Sequence, residues 1–123
     1  MIGIGTDLVD IERFRGVLAR TPTIVDRMFR ADEQAYANAA ADPAARLAAR
    51  FAAKEATLKS LGLGLGGMNL ADIEVVKHAD GRPGLKLHGA AIEVASAAGV
   101  GRFLVTISHT DHLAQATVVA LPS

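Results

Sequence analysis

Arg50-Phe51-Ala52-Ala53-Lys54-Glu55-Ala56-Thr57-Leu58-Lys59 decides how the rest of the chain is read. On a helical wheel turning about 100° per residue, the apolar stripe is Ala44, Leu47, Ala48, Phe51 and Leu58, centred on Phe51. Glu55 falls about 40° from that centre, by the same period. A carboxylate on a buried helix face must be neutral, paired or bound to a cation, because an unpaired buried charge is very costly. Lys59, one turn further on, offers an i,i+4 partner. The other reading is that Glu55 marks a binding position.

Outward from this stretch, Asp42-Pro43 supplies a cap and a proline at the first helical position. The longest helix therefore runs to residue 61 and stops at Gly62. Residues 2–9 read as a short buried strand whose end carries Thr6 and Asp7. A first helix follows over residues 10–20, and Thr21-Pro22 reads as the cap and first position of a second, ending near residue 29. Asp32 reads as the cap of a third helix through Tyr36. Residues 73–78 and 85–88 form a hairpin around Ala79-Asp80-Gly81-Arg82-Pro83. A small helix over 89–98 ends at Gly99, and residues 103–108 and 113–121 close the fold as a second strand pair. The expected class is α+β: one domain over residues 1–123, with a largely antiparallel sheet and a long central helix.

Composition narrows the function classes. The 123 residues suit one modest core, and aromatics are only 4% of them, so the core is built from small side chains and oligomerisation is plausible. Net charge is zero, which argues against broad capture of nucleic acid or anionic membrane. The chain has no cysteine, which excludes disulfides, zinc–thiolate sites and thiol catalysis. No signal-peptide core precedes Asp7 and no apolar run spans a bilayer, so the expected location is the cytoplasm.

Several side chains carry chemistry. Asp7, where a strand meets a loop, is either a helix cap or a hard-metal ligand partnering Glu55; two carboxylates with waters and substrate phosphates suit Mg²⁺. The run Gly62-Leu63-Gly64-Leu65-Gly66-Gly67 lacks Walker spacing, but its glycines, Gly64 among them, permit close backbone approach to a ligand. Ser108-His109 ends a strand without a nucleophile elbow, so His109 reads better as a contact to an anionic ligand than as part of a triad. Arg13, Arg20 and Arg27 recur every seven residues: a solvated basic face, or a docking surface for an acidic protein.

Three motifs in register resemble the bacterial holo-acyl-carrier-protein synthases. Gly3-Ile4-Gly5-Thr6-Asp7-Leu8-Val9-Asp10-Ile11 with Arg13 is similar to their N-terminal motif. Arg50 to Ala56 with Lys59 is similar to the central one, and Val105-Thr106-Ile107-Ser108-His109-Thr110 to the C-terminal one. The resemblance implies the 4′-phosphopantetheinyl transferase fold and transfer of 4′-phosphopantetheine from coenzyme A to a serine of an apo acyl carrier protein, releasing 3′,5′-ADP. It implies that Asp7 and Glu55 hold Mg²⁺, with Glu55, Lys59 and His109 catalytic. It places Arg50, Lys54, Lys59, Ser108, His109 and Thr110 at the substrate. It also implies a homotrimer with sites between subunits, and a first helix, bearing Arg13 and Arg20, that meets the carrier. Residues 36–45 lack the basic residues common there, so Arg46 is the nearest substitute for those coenzyme contacts. Two other readings remain open: a different Mg²⁺-dependent nucleotide diphosphate enzyme, and a non-catalytic trimeric binding module.

Overall fold

The computed structural model describes residues 1–123. Its strands are β1 (Gly3–Asp10), β2 (Ile73–Lys77), β3 (Pro83–Leu87), β4 (Val100–His109) and β5 (Leu113–Pro122). Its helices are α1 (Ile11–Arg20), α2 (Ile24–Met28), α3 (Ala31–Asn38), α4 (Pro43–Ser60) and α5 (Ala90–Ala97), with a 3₁₀ turn at Leu70–Asp72. β1, β5 and β4 form an antiparallel sheet in that order, and β2 and β3 form a separate hairpin. The α+β class with a long central helix is what the structure has. No helix is long and apolar enough to cross a membrane.

The helix ends show which local signals acted. Asp10 caps α1, its carboxylate accepting from the Arg13 N–H at 2.9 Å. Asp42-Pro43 opens α4, and Gly62 at φ +71° follows its end. Thr21 does not open α2; its N–H closes α1 on Val17 O, and α2 begins only at Ile24. Asp32 does not cap α3 either, because Glu33 does that work from inside the first turn by accepting from the Arg30 N–H at 3.0 Å. Arg15 ties α1 to the start of α4 through two bonds to Asp42, of 2.6 and 2.9 Å.

α4 lies against the inner face of the three-stranded sheet, packed on β1 and β5. The contact is made by very small residues: Ala48, Ala52, Ala53 and Ala56 on the helix, and Ala114, Ala116, Val118 and Ala120 on β5, are all fully buried. Gly3 and Gly5 bring β1 closer still. A Cβ on Gly3 would stand 1.9 Å from Ser60 O, and one on Gly5 2.0 Å from Ala56 O. Two strand residues advance about 6.6 Å and four helix residues about 6 Å, so strand and helix stay in step along this contact. Asp7, next on the same face of β1, is thereby delivered beside the following turn of α4.

Phe51 is not the centre of the buried face, as the wheel suggested. It is half-buried against Phe14, ring centroids 5.1 Å apart, while the deepest positions are the alanines on either side of it. Glu55 accordingly sits at the rim of the core and is half-buried.

Candidate active site

The sheet register determines which side chains face α4 and which face away. Alternation puts Val9, Ala114 and His109 in one inward row, and Asp7, Ala116 and Ile107 in the next. β1 and β4 are opposite edges of the sheet, with β5 and the helix between them. Two clefts result, one on each flank of α4.

The first cleft, about 500 Å³, holds Asp7 and Glu55 above an apolar floor that includes Phe14, Met28 and Phe51, with Arg13 at its edge. Lys59 does not bridge to Glu55. Its ammonium donates to Asp7 Oδ1 and to Thr6 O, each at 3.0 Å. Glu55 enters none of the ion pairs of the structure. Burial, and then the negative charge of Asp7, push its pKa above the ordinary carboxylate range, while Lys59 pulls it back. The two carboxylates expected to meet therefore do face one cleft and feel one another. No cluster of three or more metal-ligating side chains exists. The donor set is thus two hard oxygen ligands, one with no cation of its own, which fits Mg²⁺ completed by water and phosphate.

The second cleft, about 590 Å³, lies on the other flank and is lined by Tyr36, Arg46, Arg50, Lys77, Ile107 and His109, among others. The Arg46 and Arg50 guanidinium carbons stand 4.2 and 4.3 Å from the Tyr36 ring centre, and Lys77 Nζ 5.8 Å. Arg50 is buried, donates from Nη1 to Val75 O, and keeps its Nε–H without a partner. Burial lowers the Arg50 pKa from its ordinary value, with Glu33 opposing. Positive charge concentrated along one cleft suits a phosphate.

Not every residue expected at the substrate lines one of these clefts. Lys54 lines neither. It is wholly buried and donates to Glu33 Oε1 at 2.8 Å, Leu70 O at 2.8 Å and Ile73 O at 2.6 Å, so its three protons are used. Ser108 is turned to the outer face of the sheet by strand alternation, level with Gln115 and Leu8. The Thr110 hydroxyl accepts from the His112 and Leu113 N–H groups and shapes the β4–β5 turn. Gly64, in the loop after α4, lines neither cleft. His109 shares the cationic cleft with Arg46 and Arg50, not the cleft of Asp7 and Glu55. Arg13 and Arg20 are exposed on α1 and unpaired with any acid.

Sequence reasoning passed over Tyr36 and Lys77. Tyr36 is the chain's only tyrosine, and it lies one turn after Glu33 on α3. That spacing was the one available hint that α3 turns a functional face to α4.

The 4′-phosphopantetheinyl transferase superfamily model matches residues 3–116. A holo-[acyl-carrier-protein] synthase of Clavibacter sepedonicus is 46% identical over 117 residues, 95% of this chain and 92% of the relative. The acyl carrier protein synthase of Plasmodium yoelii, solved with ADP bound, superposes with a TM-score of 0.92 at 31% identity, covering 100% of this chain and 96% of that one. The holo-(acyl-carrier-protein) synthase of Bacillus anthracis, solved with CoA (3′,5′-ADP), gives 0.82 at 29% identity, with 99% and 97% covered.

Proposed function

The chain belongs to the 4′-phosphopantetheinyl transferase superfamily and acts as a holo-acyl-carrier-protein synthase, and on that premise we propose how its residues divide the work. The reaction is Mg²⁺-dependent transfer of 4′-phosphopantetheine from coenzyme A to a serine hydroxyl of an apo acyl carrier protein. The serine oxygen forms a bond to the β-phosphorus of coenzyme A. The bond from that phosphorus to the bridging oxygen breaks, and 3′,5′-ADP leaves with the electron pair.

The single observation that carries this reading is that Asp7 and Glu55 face one cleft while Lys59 stands on Asp7. Asp7 and Glu55 would hold Mg²⁺, which when bound polarises the diphosphate and stabilises charge on the departing end. Glu55, which faces this cleft, is the carboxylate that would take the serine proton. Lys59 supplies a compact positive charge for the phosphate oxygens as negative charge moves onto the leaving group. Arg46, Arg50 and His109 line the wall that takes the nucleotide phosphates, with Lys77 adding charge beside Tyr36.

The division of these groups between two flanks of α4 supports a site shared between copies, one chain presenting carboxylates and the next its arginines. The outer face of the sheet supports it too, because Ile4, Leu8 and Leu104 are each more than half exposed there. Three copies is the number the family resemblance implies. Arg13 and Arg20 would meet the acidic face of the carrier, Arg13 doing so at the rim of the carboxylate cleft.

The test combines the chain, coenzyme A, Mg²⁺ and several apo carrier proteins, and weighs each carrier by mass spectrometry. A mass gain equal to one phosphopantetheine is expected. Carriers left unmodified across the set would sink the reading.

A further inference from the structure

Between α3, α4 and β2 lies a charged knot whose acid and lysine, Glu33 and Lys54, line neither cleft. Glu33, 1% exposed, accepts from Arg30 N–H and Lys54 Nζ at Oε1, at 3.0 and 2.8 Å. At Oε2 it accepts from the Val75 N–H at 3.0 Å, and the same oxygen lies 3.9 Å from Arg50 Nη1. The carbonyl of that same Val75 takes the bond from Arg50. One carboxylate therefore fixes the N-terminus of α3, the strand β2 and the guanidinium of Arg50. Tyr36, one turn along α3, closes on that guanidinium from the cleft side.

Lys54 is what allows a carboxylate to sit there. A buried anion beside a single arginine at 3.9 Å would be poorly compensated. Lys54, one helical turn from Arg50, supplies the short bond and anchors itself on two carbonyls of the segment entering β2. Burial pushes its pKa down, against the pull of Glu33.

We propose that Glu33 and Lys54 are positioning residues for phosphate binding: without touching coenzyme A, they hold the Arg50 guanidinium aimed into the cationic cleft. The proposal rests on the reading of that cleft as the nucleotide site. It gives the signature lysine a role different from the phosphate contact that its place in the motif suggests. It also explains how Arg50 can be buried: the knot satisfies the Nη1 end of its guanidinium through Val75 O and Glu33.

The test is the E33Q/K54M double variant, which removes both buried charges and keeps a side-chain oxygen for one of the Arg30 and Val75 N–H groups. Removing both charges leaves neither one buried and unpaired, so the variant is expected to fold, with thermal unfolding below that of the parent because Leu70 O and Ile73 O lose their donor. Calorimetric affinity for 3′,5′-ADP is expected to fall about tenfold, and KM for coenzyme A to rise with it, while kcat stays within about twofold. A role confined to folding would leave affinity untouched in every molecule that folds. Should the double variant unfold, E33D, which keeps both charges but draws the carboxylate back by one methylene from Val75 and Arg50, is expected to show a smaller weakening of the same kind. Parent-like ADP affinity in either folded variant would overturn the positioning role alone. A parent chain that binds no 3′,5′-ADP would overturn the nucleotide cleft and this role together.

Discussion

The two clefts are carved by one helix from opposite stocks of charge. On one flank, Glu55 and Asp7 have a single ammonium between them; on the other, Arg46, Arg50 and Lys77 crowd one phenol ring. Arg50 and Glu55 are five residues apart, hence about 140° apart around α4 and about 7.5 Å along it. A rigid helix cannot turn both toward one diphosphate. In the proposed shared site each flank is one half, and each half lacks the charge the other has in excess.

Breaking the anionic half gives the largest expected effect. E55Q removes the ligand and the base together, and the transfer rate measured by carrier mass is expected to fall about a thousandfold. Its calorimetric affinity for 3′,5′-ADP should hold within about twofold, since no anion-binding group is lost. A parallel loss of both would mean that the halves are not separable. Breaking the cationic half acts on binding instead: R50A is expected to raise KM for coenzyme A about tenfold with kcat little changed. Equal falls in kcat and kcat/KM would move Arg50 into the transition state.

Mixing the two variants sharpens the comparison. If each site joins carboxylates from one subunit to arginines from the next, co-refolded E55Q and R50A chains regain about a quarter of parent activity at low coenzyme A, because one in four junctions pairs two intact halves. That is several-fold above the average of the separate samples, and an average-only value would put both halves of the site in one chain. The smallest effect is electrostatic. Titration of the Glu55 side-chain carbon by NMR, without Mg²⁺, should give a pKa above the ordinary glutamate range. D7N should lower it, since the Asp7 charge is one cause of the rise. Protons and Mg²⁺ compete for Glu55, so Mg²⁺ affinity measured by calorimetry should begin to fall at a higher pH than it would at an unperturbed carboxylate.

How much of this the sequence discloses depends on how local the cause is. α4 is announced at both ends, by Asp42-Pro43 and Gly62, whereas α1 is capped by Asp10 and not by Asp7, the cap candidate of the sequence. Glu55 shows itself because a helical wheel needs only its own turn for comparison. Thr21 misleads because a residue that can open one helix can equally close the one before it. Lys54 misleads for a deeper reason: its acid partner is 21 residues away and its carbonyl partners 16 and 19 away in the other direction, so nothing near it marks it as buried. The separation of His109 from Glu55 needs the order β1-β5-β4, which no single strand reports. The division of the site was thus hidden in topology, while its chemistry was exposed in motif.

The contact between α4 and the sheet is made almost wholly of glycine and alanine, and this governs how the protein can vary. Gly3, Gly5, Ala52, Ala56 and Ala116 leave almost no room for a larger neighbour. Exchange among them is therefore nearly all one-directional: almost every single substitution adds atoms, and overpacking a filled core typically costs about 1–3 kcal/mol. A saturation mutagenesis scan read out by folded yield should show these positions as a dark band, intolerant of leucine and valine alike. The cleft walls, a few ångströms away, should accept far more. The seam that registers Asp7 against α4 is the part of the molecule least free to drift, although it does none of the chemistry.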